Sequence, residues 1–339
     1  MKNNKPDSST CMVTGMCIGL AAGVAVGAAT HNIGLWMPIG MCLGMSVGLA
    51  LSARSSETPQ KAAAVPHVKT PEQIRENIWQ FTEGDKPYFD VNAYLIIGNR
   101  SALLVDALQS ETGLLEEIRK LTDKPLEVFL THGHSDHAGS AVLEFRKAGI
   151  PIYMNHRDYG MLKNKDGYGP DADWIIDLKP GHVFDLGGYR LDVLSVEGHT
   201  PGSMAALDKE HQLLFPGDSI GSGNFWMQLP CCSPLHVFRD NLEKLAAACA
   251  GCPDLLIFPG HRSQSPVQLT RQYVEDTLYL TNGLLDGSLQ GEPASMPWNN
   301  GEMKYAKIGR GQMVSYCYNP ENLWFSAQDR SSFERMTRI

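Results

Sequence analysis

Between Asp7 and Arg54 the sequence contains no Asp, Glu, Lys or Arg. The ionisable side chains in that stretch are His31, Cys11, Cys17 and Cys42. A segment so poor in charge has no polar face with which to lie along a membrane surface, and its abundant glycine makes poor helices in water. A bilayer suits it better. Residues 11–30 and 33–52 are two apolar stretches of about 20 residues each, the length a spanning helix needs. His31 and Asn32 form a polar turn between them. A secretory signal would show one apolar core, not two. Gly15, Gly19, Gly23 and Gly27 recur at every fourth position, as do Gly40, Gly44 and Gly48. That spacing puts them on one helix face, where backbones approach closely. Residues 1–53 are therefore expected to form a glycine-rich transmembrane helical hairpin. It makes the membrane a partner through residues 11–52 and offers a face on which copies of the chain can pair into a homo-oligomer.

The turn between the stretches lacks Lys and Arg, whereas Lys2 and Lys5 precede the first stretch and Arg54 and Lys61 follow the second. The positive-inside tendency then places both ends, and all that follows, in the cytoplasm. The eight cysteines show no regular framework, which excludes a secreted disulfide scaffold and favours a reducing compartment. Cys249-Ala-Gly-Cys252 is a lone pair without a partner motif and reads as a helix end entering a strand. With a net charge of -8 and no run of Lys or Arg, the chain gives no electrostatic footprint for nucleic acid.

Residues 54–65 read as a polar linker. Beyond them strands and helices alternate. Strands are expected over 91–97 and 102–106, a pair turning at Gly98-Asn99, and over 126–130, 151–154, 182–185, 189–196, 204–208, 211–215 and 255–258. Helices are expected over 112–121, 138–148, 234–250 and 266–286. Residues 158–173 read as a loop or broken helix, and 221–234 as a loop. Residues 66–286 would make one domain, with 287–339 as an aromatic-bearing C-terminal cap packed on it.

The chemistry lies in the strand ends. His132-Gly133-His134-Ser135-Asp136-His137 directly follows the 126–130 strand. In extended backbone i and i+2 point the same way, so His132 and His134 can reach one ion. The chain then turns, and Asp136 and His137 can face a neighbouring position. Imidazole and carboxylate suit Zn, Mn and Fe alike. Three further motifs each follow an expected strand: Gly198-His199-Thr200-Pro201-Gly202-Ser203, Pro216-Gly217-Asp218 and Pro259-Gly260-His261. Glycine beside a ligand permits a sharp turn and close approach. A lone His199 or Asp218 would read as a structural histidine or a turn residue; together the motifs form a set. His156 and His236 fall outside it but could line a cleft.

These motifs, in this order, resemble the metallo-β-lactamase-fold hydrolase superfamily over most of residues 85–265. The resemblance implies an αβ/βα sandwich with metals at one edge between two sheets, preceded here by the two-helix transmembrane hairpin. It implies that His132, His134 and His199 bind one divalent ion, that Asp136, His137 and His261 bind a second, and that Asp218 bridges them. Zinc is the first expectation, with iron or manganese as alternatives. Asp106 resembles the family's early supporting Asp, and Thr200 and Ser203 are candidates for fixing the ligand rings.

Two such ions would share a bridging hydroxide that attacks an electrophilic centre, with Asp136 orienting the nucleophile or relaying a proton. Position 218 is Asp rather than the Cys of many true β-lactamases, and position 134 is His rather than the Glu of the iron flavoproteins. The pattern is similar to glyoxalase II and lactonase relatives, which implies a small ester, thioester or lactone substrate. Alternatives are a phosphodiesterase of the same fold and a membrane scaffold carrying a passive hydrolase module. Phe225, Trp226 and Met227, directly after Asp218, are expected as a substrate wall or as packing beneath their loop.

Overall fold

A computed structural model of the chain describes residues 20–22, 24–26, 28–30, 70–84, 90–109, 113–162, 168, 172–221, 224–262, 267–295 and 302–324. The chain divides into two units, Met1–Val65 and Pro66–Ile339. In the first, residues 20–22, 24–26 and 28–29 are helical and exposed. Among the described residues no helix is long and apolar enough to cross a membrane. The expected two-span hairpin is thus not found among them, and most of residues 11–30 and all of 33–52 lie outside the described residues.

In the second unit, seven strands form one sheet in sequence order: β1 (Glu72–Arg75), β2 (Ile78–Glu83), β3 (Val91–Ile97), β4 (Ala102–Val105), β5 (Leu126–Phe129), β6 (Ile152–Met154) and β7 (Ile176–Asp177). Helices α1 (Leu114–Leu121) and α2 (Val142–Lys147) lie between its strands in sequence, and the short α3 (Tyr159–Leu162) follows β6. A second sheet contains β8 (Val183–Asp185), β9 (Arg190–Ser195), β10 (Met204–Asp208), β11 (Leu213–Phe215), β13 (Leu256–Ile257) and β14 (Leu269–Thr270), in the order β14-β13-β11-β10-β9-β8. Helices α4 (Leu235–Ala248) and α5 (Arg271–Asp286) cover it. A third sheet, β12-β17-β16-β15, joins β12 (Asn224–Met227) to β15 (Glu292–Ala294), β16 (Met303–Gly309) and β17 (Met313–Tyr318).

The layering follows from side-chain alternation. Successive strand residues point to opposite faces. Tyr94 and Ile96 of β3, Leu103 and Val105 of β4, Met204 and Ala206 of β10, and Leu213 and Phe215 of β11 fill one core between the two large sheets. Their alternates diverge. Ala93, Leu95 and Leu104 pack with Leu114, Ile118, Val142 and Phe145 of the first helical layer. Ala205, Leu207 and Leu214 pack with Leu242, Leu245 and Val274 of the second. Strands with both faces buried read as near-continuous apolar runs, as β4 and β11 do throughout and β3 and β10 do apart from Asn92 and Asp208. The result is an αβ/βα sandwich. Each large core side chain contributes roughly 1.5–3 kcal/mol by burial.

Several expected elements differ. The helix expected over 138–148 is confined to Val142–Lys147, because residues 134–141 wind in turns instead. His137 and Ala138 both donate backbone N–H groups to His134 O, at 3.1 and 2.8 Å. Residues 266–286 begin with the two-residue β14 before α5. Four strands besides β14 were not legible as such: β1, β2, β7 and β12. Residues expected as a cap contribute β15, β16 and β17, and β17 pairs in parallel with β12, Phe225 opposite Tyr316.

Candidate metal centre

Every expected ligand sits just past a strand end. His132, His134, Asp136 and His137 follow β5, His199 follows β9, Asp218 follows β11 and His261 follows β13. The fold gathers them into two groups, His132, His134 and His199 in one and Asp136, His137, Asp218 and His261 in the other. Within each group the ligand atoms lie within 4.8 Å of one another. Four ligands around one zinc ion, at about 2.1 Å each, would be roughly 3.4 Å apart, close to the spacing these groups already have. In the first, His134 Nδ1 is 3.1 Å from His132 Nε2 and 2.9 Å from His199 Nε2. In the second, Asp218 is 3.3 Å from His137 Nε2 and 3.0 Å from His261 Nε2, and Asp136 Oδ2 is 3.3 Å from His261 Nε2. Asp218 Oδ2 also reaches towards the first group, 3.9 Å from His199 Nε2.

The turns allow no thicker backbone. A Cβ on Gly260 would collide with Asp218 Oδ1 and the His137 ring. Gly217 has φ of 56°, a left-handed conformation that glycine adopts without strain, and a Cβ there would strike Thr131 Oγ1. The strand-end loops are also tied to one another. Gly260 N donates to Gly217 O at 3.0 Å, and Asn92 N and Tyr94 OH hold Gly260 O and Pro259 O at 2.8 and 2.7 Å.

A second ring of contacts orients the imidazoles. Asp106, buried at φ of 62°, accepts from Thr131 N at 2.7 Å and from His137 Nδ1 at 2.8 Å. Thr131 Oγ1 donates to the same carboxylate at 2.9 Å and lies 3.0 Å from His132 Nδ1. His199 Nδ1 donates to Trp226 O at 2.7 Å, and His261 Nδ1 faces Asp90 O.

The proton states of the groups differ. Burial, reinforced by neighbouring rings, pushes His132 well below the usual imidazole range and His199 down to about 4. Both are neutral at pH 7, as a metal ligand must be. In the other group, burial opposes charge on His137, but Asp218, Asp106 and Asp136 hold it well above its usual value. His261 rises to about 10 against the same burial, through Asp218 and Asp136. Burial also opposes ionisation of Asp218 and Asp136, yet the His137 and His261 cations keep both below the usual carboxylate range. Protons thus occupy positions where a divalent ion's charge would balance the carboxylates. His137 Nε2 is buried with no hydrogen-bond partner among the described residues. An unsatisfied buried nitrogen aimed at two carboxylates is what a metal ligand looks like without its metal, and the donor set of imidazoles and carboxylates fits divalent ions.

The model of the metallo-beta-lactamase superfamily matches residues 87–261, 175 of the chain's 339 residues. The chain belongs to that superfamily. A model described as glycine zipper membrane protein matches residues 7–54. Hydroxyacylglutathione hydrolase GloC of Haemophilus influenzae is 28% identical over 149 residues, 40% of this chain and 69% of that protein. The probable metallo-hydrolase YqgX of Bacillus subtilis is 28% identical over 143 residues, 39% and 67% of the two chains. An uncharacterised protein of Mycobacterium tuberculosis is 31% identical over 196 residues, 51% and 85%. The DIM-1 metallo-beta-lactamase superposes with a TM-score of 0.52 at 19% identity, covering 64% of this chain and 98% of that one, a likeness of fold alone. Family, hydrolase relatives and fold together make this superfamily member a metal-dependent hydrolase.

Thr200 and Ser203 do not touch the ligand rings as expected. Thr200 Oγ1 donates to Asp158 Oδ2 at 2.6 Å, and Ser203 Oγ is 2.7 Å from Thr200 Oγ1. Asp158, at the head of the stretch expected as a loop or broken helix, is fully buried. It accepts from Gly133 N at 3.0 Å and Gly202 N at 2.7 Å, binding the His132–His134 turn to the turn that carries His199. The available signal was its position directly after a strand at the motif end of the sheet. The substrate wall also needs correction. Phe225 and Met227 are buried in the α4/α5 core, Phe225 stacked on Tyr316. Alternation leaves only half-buried Trp226 on the other face, and its carbonyl serves His199. Neither His156, paired with Asp177 at 3.2 Å, nor His236, stacked on Trp324, is among the groups around the metal ligands.

Two outcomes follow from these contacts. Asp158→Ala strands two buried N–H groups, so it should cost about 3 kcal/mol in denaturant unfolding and weaken zinc binding about tenfold in a chelator competition. Unchanged values for both would remove Asp158 from the support of the centre. Zinc added to metal-free protein at pH 7 should release about two protons, those on His137 and His261. Calorimetry in buffers of different ionisation enthalpy counts them. Both pKa values are raised, so in the metal-free chain these protons add stability that is complete below pH 6.5 and lost as pH passes about 10. Zinc affinity runs oppositely, rising across that window. Affinity independent of pH there would contradict the charge assignment.

Proposed function

We propose that the protein hydrolyses a small ester, thioester or lactone at two divalent ions, zinc first with iron or manganese as alternatives. The observation that carries this reading is the place of Asp218. Its two oxygens face His137, His261 and His199 at 3.3, 3.0 and 3.9 Å, so one carboxylate serves both ligand groups. His132, His134 and His199 would hold one ion, Asp136, His137 and His261 the other. When bound, such ions polarise an acyl oxygen and acidify water to a pKa of roughly 7.

The chain's own residues do the remainder. Asp106 and Thr131 hold the His137 and His132 rings so that their Nε2 atoms face inward. Asp136, with its side chain 36% exposed against 11% for Asp218, is the carboxylate best placed to orient the nucleophile and pass a proton to the leaving alkoxide or thiolate. The thioester alternative draws support from the relative named hydroxyacylglutathione hydrolase, and Asp rather than Cys at 218 sets the site apart from many dedicated β-lactam hydrolases. We place this chemistry at a membrane surface. The support is the glycine zipper match over 7–54 and the uncharged stretches within it. A two-span hairpin with both ends cytoplasmic, able to pair with a second copy, is the arrangement proposed.

The full chain should carry about two zinc ions and cleave S-lactoylglutathione or a simple lactone faster than bis-p-nitrophenyl phosphate. The reverse preference would establish the phosphodiesterase reading instead. Asp218→Ala should lower turnover at least about a thousandfold and reduce the zinc content; retained turnover would end the shared-carboxylate assignment. Full-length protein should sediment with membranes and resist salt extraction, whereas residues 60–339 remain in the supernatant with turnover intact. A full-length chain that stays soluble would rule out the anchor.

A further inference from the structure

Each histidine of the centre turns one ring nitrogen inward and the other outward. Four outward nitrogens meet oxygen: His132 Nδ1 at Thr131 Oγ1, His137 Nδ1 at Asp106, His199 Nδ1 at Trp226 O and His261 Nδ1 at Asp90 O. His134 differs twice. It faces inward with Nδ1 rather than Nε2, and its outward Nε2 meets sulfur, Cys231 Sγ at 3.5 Å. With Nδ1 committed to an ion, neutral imidazole carries its hydrogen on Nε2. The ring therefore donates and Cys231 accepts. Outer partners of this kind fix a ligand's tautomer and orientation. Hydroxyl, carboxylate and carbonyl partners are inert to thiol chemistry, whereas Cys231 is not.

Access points the same way. Among the described cysteines Cys231 alone is partly exposed, and Cys232, Cys249, Cys252 and Cys317 are buried. Cys232 is turned inward, its thiol donating to His199 O at 3.2 Å. His134 is likewise the half-buried member of a group whose other two members are buried. A solute reaching this edge of the site meets Cys231 and His134 together.

We propose that Cys231 is a thiol-exchange site that governs how tightly His132, His134 and His199 hold their ion. The inference rests on the metal-centre reading. The co-reactant is a low-molecular-weight disulfide. Cys231 sulfur attacks one sulfur of the disulfide, a Cys231 S–S bond forms, and the reagent's own S–S bond breaks. The departing sulfur takes the electron pair and the thiol proton, so Cys231 is oxidised and one reagent half is reduced. The substituted sulfur is bulkier and no longer placed to accept from His134 Nε2. The ring loses the contact that aims Nδ1, and the ion is held more weakly until a reducing thiol reverses the exchange.

The test uses the full chain loaded with zinc and treated with oxidised glutathione at neutral pH. Zinc release is followed with a chromogenic chelator, and adducts are mapped by peptide mass spectrometry. The expected result is a glutathione adduct on Cys231 with loss of about one zinc ion, and recovery after dithiothreitol and zinc. Cys231→Ser, whose hydroxyl still accepts from Nε2, should keep both ions through the treatment. Cys231→Ala, with no acceptor, should bind one ion about 10-fold more weakly without any disulfide. A Cys231 adduct with both ions retained overturns the proposal. So does wild-type zinc affinity in Cys231→Ala, or a Cys231 that stays unmodified in the loaded protein. Untreated wild-type protein that takes up no zinc defeats the metal-centre reading itself, and this proposal with it.

Discussion

The Asp106 carboxylate is the contact on which the centre depends. It directly follows β4 in a left-handed conformation, φ 62°, which an Asp tolerates better than most residues but still at some strain. From there it accepts from His137 Nδ1, Thr131 N and Thr131 Oγ1. Because the Thr131 hydroxyl gives its hydrogen to Asp106, its lone pairs are left for His132 Nδ1–H. One buried carboxylate thereby sets the tautomer of a ligand in each group. Both rings are forced to offer Nε2 inward. The two groups are mechanically joined at Asp106 behind the rings, just as Asp218 joins them in front.

That joint works only because the sandwich holds its strand ends in register. β4 and β5 pair in parallel, Val105 opposite Phe129, so Asp106 and the residues after Leu130 emerge side by side. β11 and β13 also pair in parallel, which brings Gly217-Asp218 beside Gly260-His261. Neither pair is sequence-adjacent. The apolar alternation of β3, β4, β10 and β11 fixes each register, since a one-residue slip would exchange the inter-sheet core for the helix-facing one. Gly217 and Gly260 then supply turns thin enough for four loops to converge without collision. Asp158, from a separate buried position, ties the backbone of the His199 turn to that of the His132–His134 turn.

The ligands were legible because each lies in a short motif anchored to its own strand, and local spacing carries that information. The sandwich was legible for the same reason in β3, β4, β5, β10 and β11, whose apolar runs are long or bounded by turns. What sequence could not supply was partnership over distance. Phe225-Trp226-Met227 reads as an apolar loop until Tyr316 and its neighbours in β17 are known to pair with it; only then does alternation decide that Phe225 and Met227 face inward. Asp158 looked like loop polarity because its donors, Gly133, Thr200 and Gly202, come from other segments. Thr200 and Ser203 stand beside a ligand in sequence, yet the Thr200 hydroxyl binds Asp158 and the Ser203 hydroxyl binds Thr200, not a ring. Cys231 is 97 residues from His134 and carries no local mark of its role.

The charge arrangement bears on the acyl hydrolysis proposed for this centre. Without metal, three carboxylates, those of Asp106, Asp136 and Asp218, surround two cationic rings, His137 and His261, and the cluster is formally anionic. Two divalent ions in place of the two protons would reverse the sign. The same residues would then present a net positive field, fixed in place before substrate arrives. Negative charge developing on an acyl oxygen is stabilised most by such preorganised groups. The neutral rings of His132 and His199 add coordination without further charge, so the positive excess depends on how many protons the His137 and His261 side gives up. The carboxylates that raise those two pKa values are therefore also the groups that set the strength of the field.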